Sequence, residues 1–207
     1  MSHNTALHRS LVLVWALALL SACTSLQTIQ PTGWAARQAE LLKLEDWELR
    51  GRMAFRSGEE GGQGKLHWQQ AGAISFINIA GPFGAGAYDL VWEPGRVSVA
   101  DATGKRSVEY TGADAAEQFM REQLGWSFPA VSARYWVMGL LDPADPGDEH
   151  FDDQSVLSGI TQHGWNISYE RFAEFDGFAL PTRINMENGT ASLRMVISKW
   201  SAPVPEH

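Results

Sequence analysis

Residues 48–55, Glu48-Leu49-Arg50-Gly51-Arg52-Met53-Ala54-Phe55, decide the fold class because they alternate. Leu49, Met53 and Phe55 fall on one side of an extended chain, with Glu48, Arg50 and Arg52 on the other, which is the period-two pattern of a half-buried strand. The pattern continues toward the carboxyl terminus. Gly58–Gly64 reads as a turn, Lys65–Gln70 puts Leu66 and Trp68 on one face, Ala73–Ala80 is a mostly apolar strand, and Tyr88, Leu90 and Trp92 mark the next. The turn Glu93-Pro94-Gly95 and the pair Val97, Val99 complete a run of antiparallel hairpins, and Lys105–Thr111 is a further strand. Toward the amino terminus, Trp34, Ala35, Leu41, Leu42 and Leu44 roughly keep helical spacing with charges between them, predicting a short amphipathic helix.

At Asp114 the period changes. Asp114–Leu124 reads as a helix stopped by Gly125, and Pro129 opens a second helix to about Leu141. Val131, Tyr135, Val137, Met138, Leu140 and Leu141 give that second helix a broad apolar face, which Trp136 joins. Asp142–Asp153 is acidic, holds two prolines and is expected to be a loop. Three strands follow at Trp165–Arg171, Leu180–Met186 and Ser192–Trp200, with Asn188-Gly189 as the turn between the last two. Strands, then two helices, then strands imply a mainly β protein. The expected architecture is a strongly curved antiparallel sheet with helices covering its open side.

Residues 1–22 are not part of that fold. Arg9 supplies one fixed positive charge, Leu11–Leu20 is almost wholly apolar, and Leu20-Ser21-Ala22-Cys23 has the form of a bacterial lipobox. The apolar run is too short to span a bilayer as a mature helix. Cleavage before Cys23, with S-diacylglycerol on its thiol and N-acylation of its new amino group, is therefore expected; no other cofactor is. Thr24 follows where an aspartate would suggest retention in the inner membrane, so the expected location is the periplasmic face of a Gram-negative outer membrane. Residues 23–33 are polar and carry Pro31 and Gly33, reading as a tether, and 34–207 form the domain.

Removal of residues 1–22 leaves 185 residues with 15 basic and 24 acidic side chains, a net charge of −9. That balance argues against nucleic acid as a partner and against electrostatic attachment to anionic lipid. With no second cysteine, neither a disulfide nor a cysteine metal site is available. The length suits one domain, expected to be a monomer, with eight tryptophans for its core or for a cavity lining.

Motifs with chemistry are scarce. The segment before Gly64-Lys65 has Glu59 where a phosphate loop needs its first glycine, and Leu66 where it needs Ser or Thr. Asp142, Asp145, Asp148, Glu149, Asp152 and Asp153 lack the order of a calcium loop. His67, His150, His163 and His207 have no ligand spacing, so no metal is expected, and no nucleophile elbow or triad context exists. No catalytic residue is assigned, although carboxylate pairs for glycoside hydrolysis need not be adjacent in sequence. The unusual segment is Ile77–Tyr88, where Pro82 and Gly84 enforce a turn that holds Phe83 at its tip. An apolar tip reads either as folded back on the core or as a probe for lipid or a partner's groove.

These residues also carry a resemblance. The lipobox at Cys23, Trp47-Glu48-Leu49-Arg50-Gly51-Arg52, Trp68-Gln69-Gln70 and Gly81-Pro82-Phe83-Gly84 follow one another in an order that continues through Pro129 and Tyr135-Trp136-Val137-Met138-Gly139-Leu140. Trp165, Tyr169, Leu180-Pro181, Leu193 and Trp200 close it. The chain resembles the LolB family of outer-membrane receptors. The resemblance implies an incomplete β-barrel with a helical lid, which accepts lipoproteins from the periplasmic carrier LolA and inserts them into outer-membrane lipid. It implies no catalysis. The family bears an exposed leucine at the position of Phe83, so Pro82, Phe83 and Gly84 become the expected membrane-insertion loop. The cavity for the cargo's acyl chains is expected to draw on Trp68, Ile77, Ile79, Leu90, Trp92, Trp136 and Met138, taken as inward from their alternation. Other classes that fit a lipid-anchored domain are a cell-wall-active enzyme, which needs a cleft with paired acids, and an outer-membrane assembly factor, which needs a surface patch.

Overall fold

The alternating segment forms strand β1 (Asp46–Ser57), buried at Trp47 and Leu49 and exposed at Arg50, Arg52 and Arg56. In the computed structural model, which describes residues 33–81, 87–101, 103, 107–124 and 128–202, ten further strands assemble around it. They are β2 (Glu60–Ala71), β3 (Ile74–Ala80), β4 (Ala87–Glu93), β5 (Arg96–Asp101), β6 (Ser107–Thr111), β7 (Gly147–Phe151), β8 (Leu157–Gln162), β9 (Trp165–Phe175), β10 (Phe178–Glu187) and β11 (Ala191–Ser201).

All eleven belong to one sheet in the order β6-β5-β4-β3-β2-β1-β11-β10-β9-β8-β7, every neighbouring pair antiparallel. The first and last strands of the chain thus meet at the centre. The two edges, β6 and β7, are consecutive in sequence and unpaired with each other, so the sheet is curved but not closed into a barrel. The chain passes between those edges through residues 112–146, which hold α2 (Ala115–Phe119), a π-helical turn (Met120–Leu124) and α3 (Ala130–Trp136). Before β1 lies α1 (Trp34–Leu41). No described helix is long and apolar enough to cross a membrane. The expected incomplete barrel with helices on its inner side is the observed architecture.

Several expectations change in detail. Gly58–Gly64 is not a turn: only Gly58-Glu59 lie between the paired Ser57 and Glu60, and the rest is the start of β2. The glycines belong there because of close approach. A Cβ on Gly62 would stand 2.7 Å from the Phe55 ring, and one on Gly51, at the β1–β11 bulge, 2.3 Å from the Val196 carbonyl oxygen. The acidic segment 142–153 is not all loop. Gly147–Phe151 pairs with Leu157–Gln162, an additional hairpin that alternation missed because an edge strand presents charge to water. The second helix stops at Trp136 instead of Leu141, and Val131, assigned to its apolar face, is 54% exposed.

Two apolar clusters fill the inner side. The larger has 23 buried residues among those described, from β1, β2, β8–β11, α1, α3 and the turn after α3, with Trp47, Trp136, Leu140 and Ile184 fully inaccessible. The smaller has six, Leu90, Val97, Tyr110, Ala115, Phe119 and Met120, between β4–β6 and α2 with its π-turn. Ile77, Ile79 and Phe128 are half-buried and touch both.

Candidate functional site

The inner face can be followed strand by strand, since residues directly opposite in an antiparallel pair share a face. Leu49 stands opposite Trp68, Trp68 opposite Ile77, Ile77 opposite Leu90, and Leu90 opposite Val99. One step along, Leu66 pairs with Ile79 and Ile79 with Tyr88. Ser75, Trp92 and Val97 make the row on the other side. Alternation therefore placed Trp68, Ile77, Ile79, Leu90 and Trp92 on one continuous apolar face.

Their burial along that face is graded. Trp68 is 6% exposed, its ring 5.2 Å from Trp47, which in turn meets Trp200 at 5.4 Å. Its Nε1 donates to Gln70 Oε1 at 3.2 Å, and Ser75 Oγ donates to the same oxygen at 2.6 Å, so a buried polar group is satisfied beside the ring. Leu90 belongs to the smaller cluster. Ile77 and Ile79 are half-buried where the clusters meet, and half-buried Trp92 packs edge-on to Phe119 with centroids 6.3 Å apart.

The two helix-borne residues have other surroundings. Trp136 is fully buried, and its Nε1 donates to Gln162 Oε1 at 2.8 Å. Gln162 also accepts from the Asp142 backbone N–H and donates through Nε2 to the carbonyls of Asp142 and Asp145, pinning the segment after α3 to β8. The Tyr169 hydroxyl donates to the Trp136 carbonyl at 2.8 Å, and burial holds that phenol well above its ordinary range. Met138 is buried and borders a recess of about 250 Å³ whose other walls include Leu41, Leu44, Trp47, Arg134 and Tyr135. Cys23 and the expected insertion loop Pro82-Phe83-Gly84 lie outside the described residues.

Three features escaped the sequence reading. Phe119 and Phe128 carry the contacts at the junction: Phe119 meets Tyr110 at 6.0 Å, and Phe128 meets Trp136 and Trp165 at 6.1 and 5.2 Å. Arg37 is a largely buried cation on α1. It donates to the Ala179 carbonyl at 2.7 and 3.1 Å and to the Met138 carbonyl at 3.2 Å, between the rings of Trp34 and Phe172. Burial pulls its pKa down to about 10, with electrostatic interactions with Tyr169 and Glu149 acting against the fall. Third, the fold brings Asp142, Asp145 and His163 together, one ligand atom from each within 4.8 Å of the others. Asp142 is already bonded there, accepting from Ser132 Oγ and the Ala144 N–H.

An open antiparallel sheet whose inner face is apolar, covered by short helices and graded from close-packed to half-buried, defines the fold class. The family model of the outer-membrane lipoprotein LolB matches residues 45–200, almost the whole sheet. The outer-membrane lipoprotein LolB of Pseudomonas aeruginosa is 33% identical over 192 residues, 89% of this chain and 92% of its own length. That of Pseudomonas fluorescens is 31% identical over 199 residues, 93% and 95% of the two chains. Among solved structures, a DUF1329 family protein from Desulfovibrio piger superposes with a TM-score of 0.51 at 11% identity over 84% of this chain and 92% of that one, a likeness of fold alone. The chain belongs to the LolB family of outer-membrane lipoproteins.

Proposed function

We propose that this protein accepts lipoproteins from a LolA-type periplasmic carrier, holds their acyl chains between its sheet and helices, and delivers them to the outer membrane. Family membership carries the reading, and the graded inner face supports it. Each methylene exposed to water costs about 0.8 kcal/mol, so a triacylated cargo needs an apolar enclosure along the whole route. Here that enclosure is the junction lined by Ile77, Ile79, Leu90 and Trp92. Acyl chains enter by displacing α2 and Phe128 from it, and Trp68, Trp136 and Met138 form the firm wall behind. The transfer needs no chemical step, only affinities that rise from carrier to receptor to bilayer.

Cys23 carries the diacylglycerol and amide-linked acyl groups that keep the domain at the membrane, and Phe83 is the apolar tip that engages lipid. Burying one aromatic side chain at a lipid boundary contributes roughly 1.5–3 kcal/mol, enough for transient docking. The test loads a LolA-type carrier with labelled lipoprotein and mixes it with the Cys23→Ala chain in solution. The label is expected to move to the soluble receptor. If it stays on the carrier while the receptor is folded, the proposal is wrong. Phe83→Glu is expected to accept label normally but to fail in passing it to liposomes, and normal passage would remove Phe83 from the mechanism.

A further inference from the structure

The net charge of −9 hides a segregation of charge. Lys65 on β2 stands opposite Arg52 on β1, Arg52 opposite Val196 on β11, Val196 opposite Arg183 on β10, and Arg183 opposite Arg171 on β9. At about 4.8 Å per strand this line runs for roughly 19 Å across the sheet. All five side chains are exposed, while their chain neighbours Leu66, Met195, Ile197 and Ile184 are buried, so the line lies on the outer face. Arg194 and Arg56 extend it on the same face. Glu170 lies within it, 3.8 Å from Arg183 and 3.7 Å from Arg194, and Glu48 and Glu187 stand on the same face toward its margins. Arg52, Arg56, Lys65 and Arg171 make no ion pair among the described residues.

We propose that this outer face docks the domain on the anionic phospholipid headgroups of the membrane that holds its amino-terminal anchor. The inference rests on the anchor reading of Cys23. A tether of residues 23–33 reaches about 35 Å when extended, which keeps the domain close to headgroups. A protein partner would be expected to meet a recess or a cluster of large apolar side chains at the centre of such a surface. This line has only Val196 there, and a row of cations is the feature a charged bilayer selects. Lys65 pairs with Ala80, the last residue of β3, so docking also brings that end of the strand to the bilayer.

The experiment uses the mature chain with Cys23→Ala and sedimentation with phosphatidylcholine vesicles, with and without phosphatidylglycerol. Binding is expected only with phosphatidylglycerol and is expected to weaken with salt. The triple change Arg52→Gln, Lys65→Gln, Arg183→Gln is expected to lower it about a hundredfold, whereas Lys43→Gln, Arg96→Gln, Arg121→Gln, with the same loss of charge elsewhere, leaves it unchanged. Should the first triple unfold on heating earlier than the parent, Lys65→Gln and Arg171→Gln alone are each expected to lose about fivefold. Equal losses in both triples, no loss in either, or no preference for phosphatidylglycerol would overturn the proposal. So would a first triple that keeps vesicle binding but no longer takes label from a loaded carrier in vesicle-free solution, since the face would then serve a protein. That vesicle-free acceptance is measured separately, so failure of the receptor function and failure of the docking surface give different results.

Discussion

One half of the sheet is packed and the other is only thinly covered. Between β1, β2 and β8–β11 on one side and α1, α3 and the turn after it on the other, 23 described residues are buried, and tryptophans interlock through Trp47, Trp68 and Trp200. Between β4–β6 and the single turns of α2 and its π-extension only six are buried, and the inner face at Tyr88 and Val108 is 52% and 43% exposed. The difference separates two tasks. A rigid wall fixes the shape of the domain, and a weakly held wall can part without global unfolding, as local opening draws on the least-buried elements.

The comparison breaks most plainly at Trp136. It is fully buried, touches Phe128, and bonds to Gln162, so Trp136→Ala is expected to cost about 4 kcal/mol and to leave Gln162 partly unsatisfied. Denaturant unfolding measures this directly. A loss below about 1 kcal/mol would mean that the packed half is not what holds the fold.

Phe119→Ala probes the thin half. Phe119 is 4% exposed, but it is the last residue of a five-residue helix that can settle into the space, so the expected loss is nearer 2–3 kcal/mol. Hydrogen exchange should rise in β4–β6 and stay unchanged in β9–β11. On the proposed function, acceptance of label from a loaded carrier should also become faster. If exchange rises equally throughout, the two halves open as one unit and the distinction fails.

The sequence showed this division only in part. Alternation at Glu48–Phe55 and at Tyr88, Leu90 and Trp92 revealed strands, because one face of each meets water. It could not reveal β7, where Glu149 turns charge to account by accepting from Trp34 Nε1 at 2.6 Å and Gln38 Nε2 at 3.0 Å, binding α1 to the sheet edge. The inward residues were legible, but their degree of burial was not. Burial depends on which helix lies above each strand, and the chain between β6 and β7 settles that through Phe119 and Phe128, whose partners Trp92 and Trp165 are far away in sequence. Net charge is silent on the arrangement of charge for a related reason: it averages over faces that the register of four strand pairs keeps apart.

Arg37 sharpens the comparison from the packed side. Its guanidinium joins α1 to β10 and to the turn after α3, and its depressed pKa records the cost of burying it. At neutral pH it remains charged, and the carbonyl bonds and flanking rings offset that cost. Arg37→Ala removes them and leaves the Ala179 carbonyl without its donor, for an expected loss of about 2 kcal/mol. Arg37→Lys should recover little, because an ammonium cannot reproduce the guanidinium fork or stack between two rings. Full stability in either variant would show that α1 rests on the sheet by apolar contact alone.

The smallest effect tests the packed half from its outer face. Glu48 lies on β1, whose two neighbours lead to the thin half through β2 and to the packed half through β11. Burial pushes its carboxyl up, but the hydrogen bond and charge of Arg50, with those of His67 at 3.0 Å, outweigh it and hold the group below the ordinary 4.5. A carboxyl with a lowered folded-state pKa adds stability in full above its unfolded-state value and loses it as pH falls through the folded-state value. Stability should therefore drop below about pH 4.5 by something under about 1 kcal/mol on this account, since Arg50 is exposed and solvent screens the pair. Glu48→Gln should flatten that portion of the acid profile and leave the plateau near neutral pH slightly lower. The measurement is Tm against pH for the two proteins. Identical acid limbs would show that the Glu48 cluster orders the outer face of β1 without stabilising the fold.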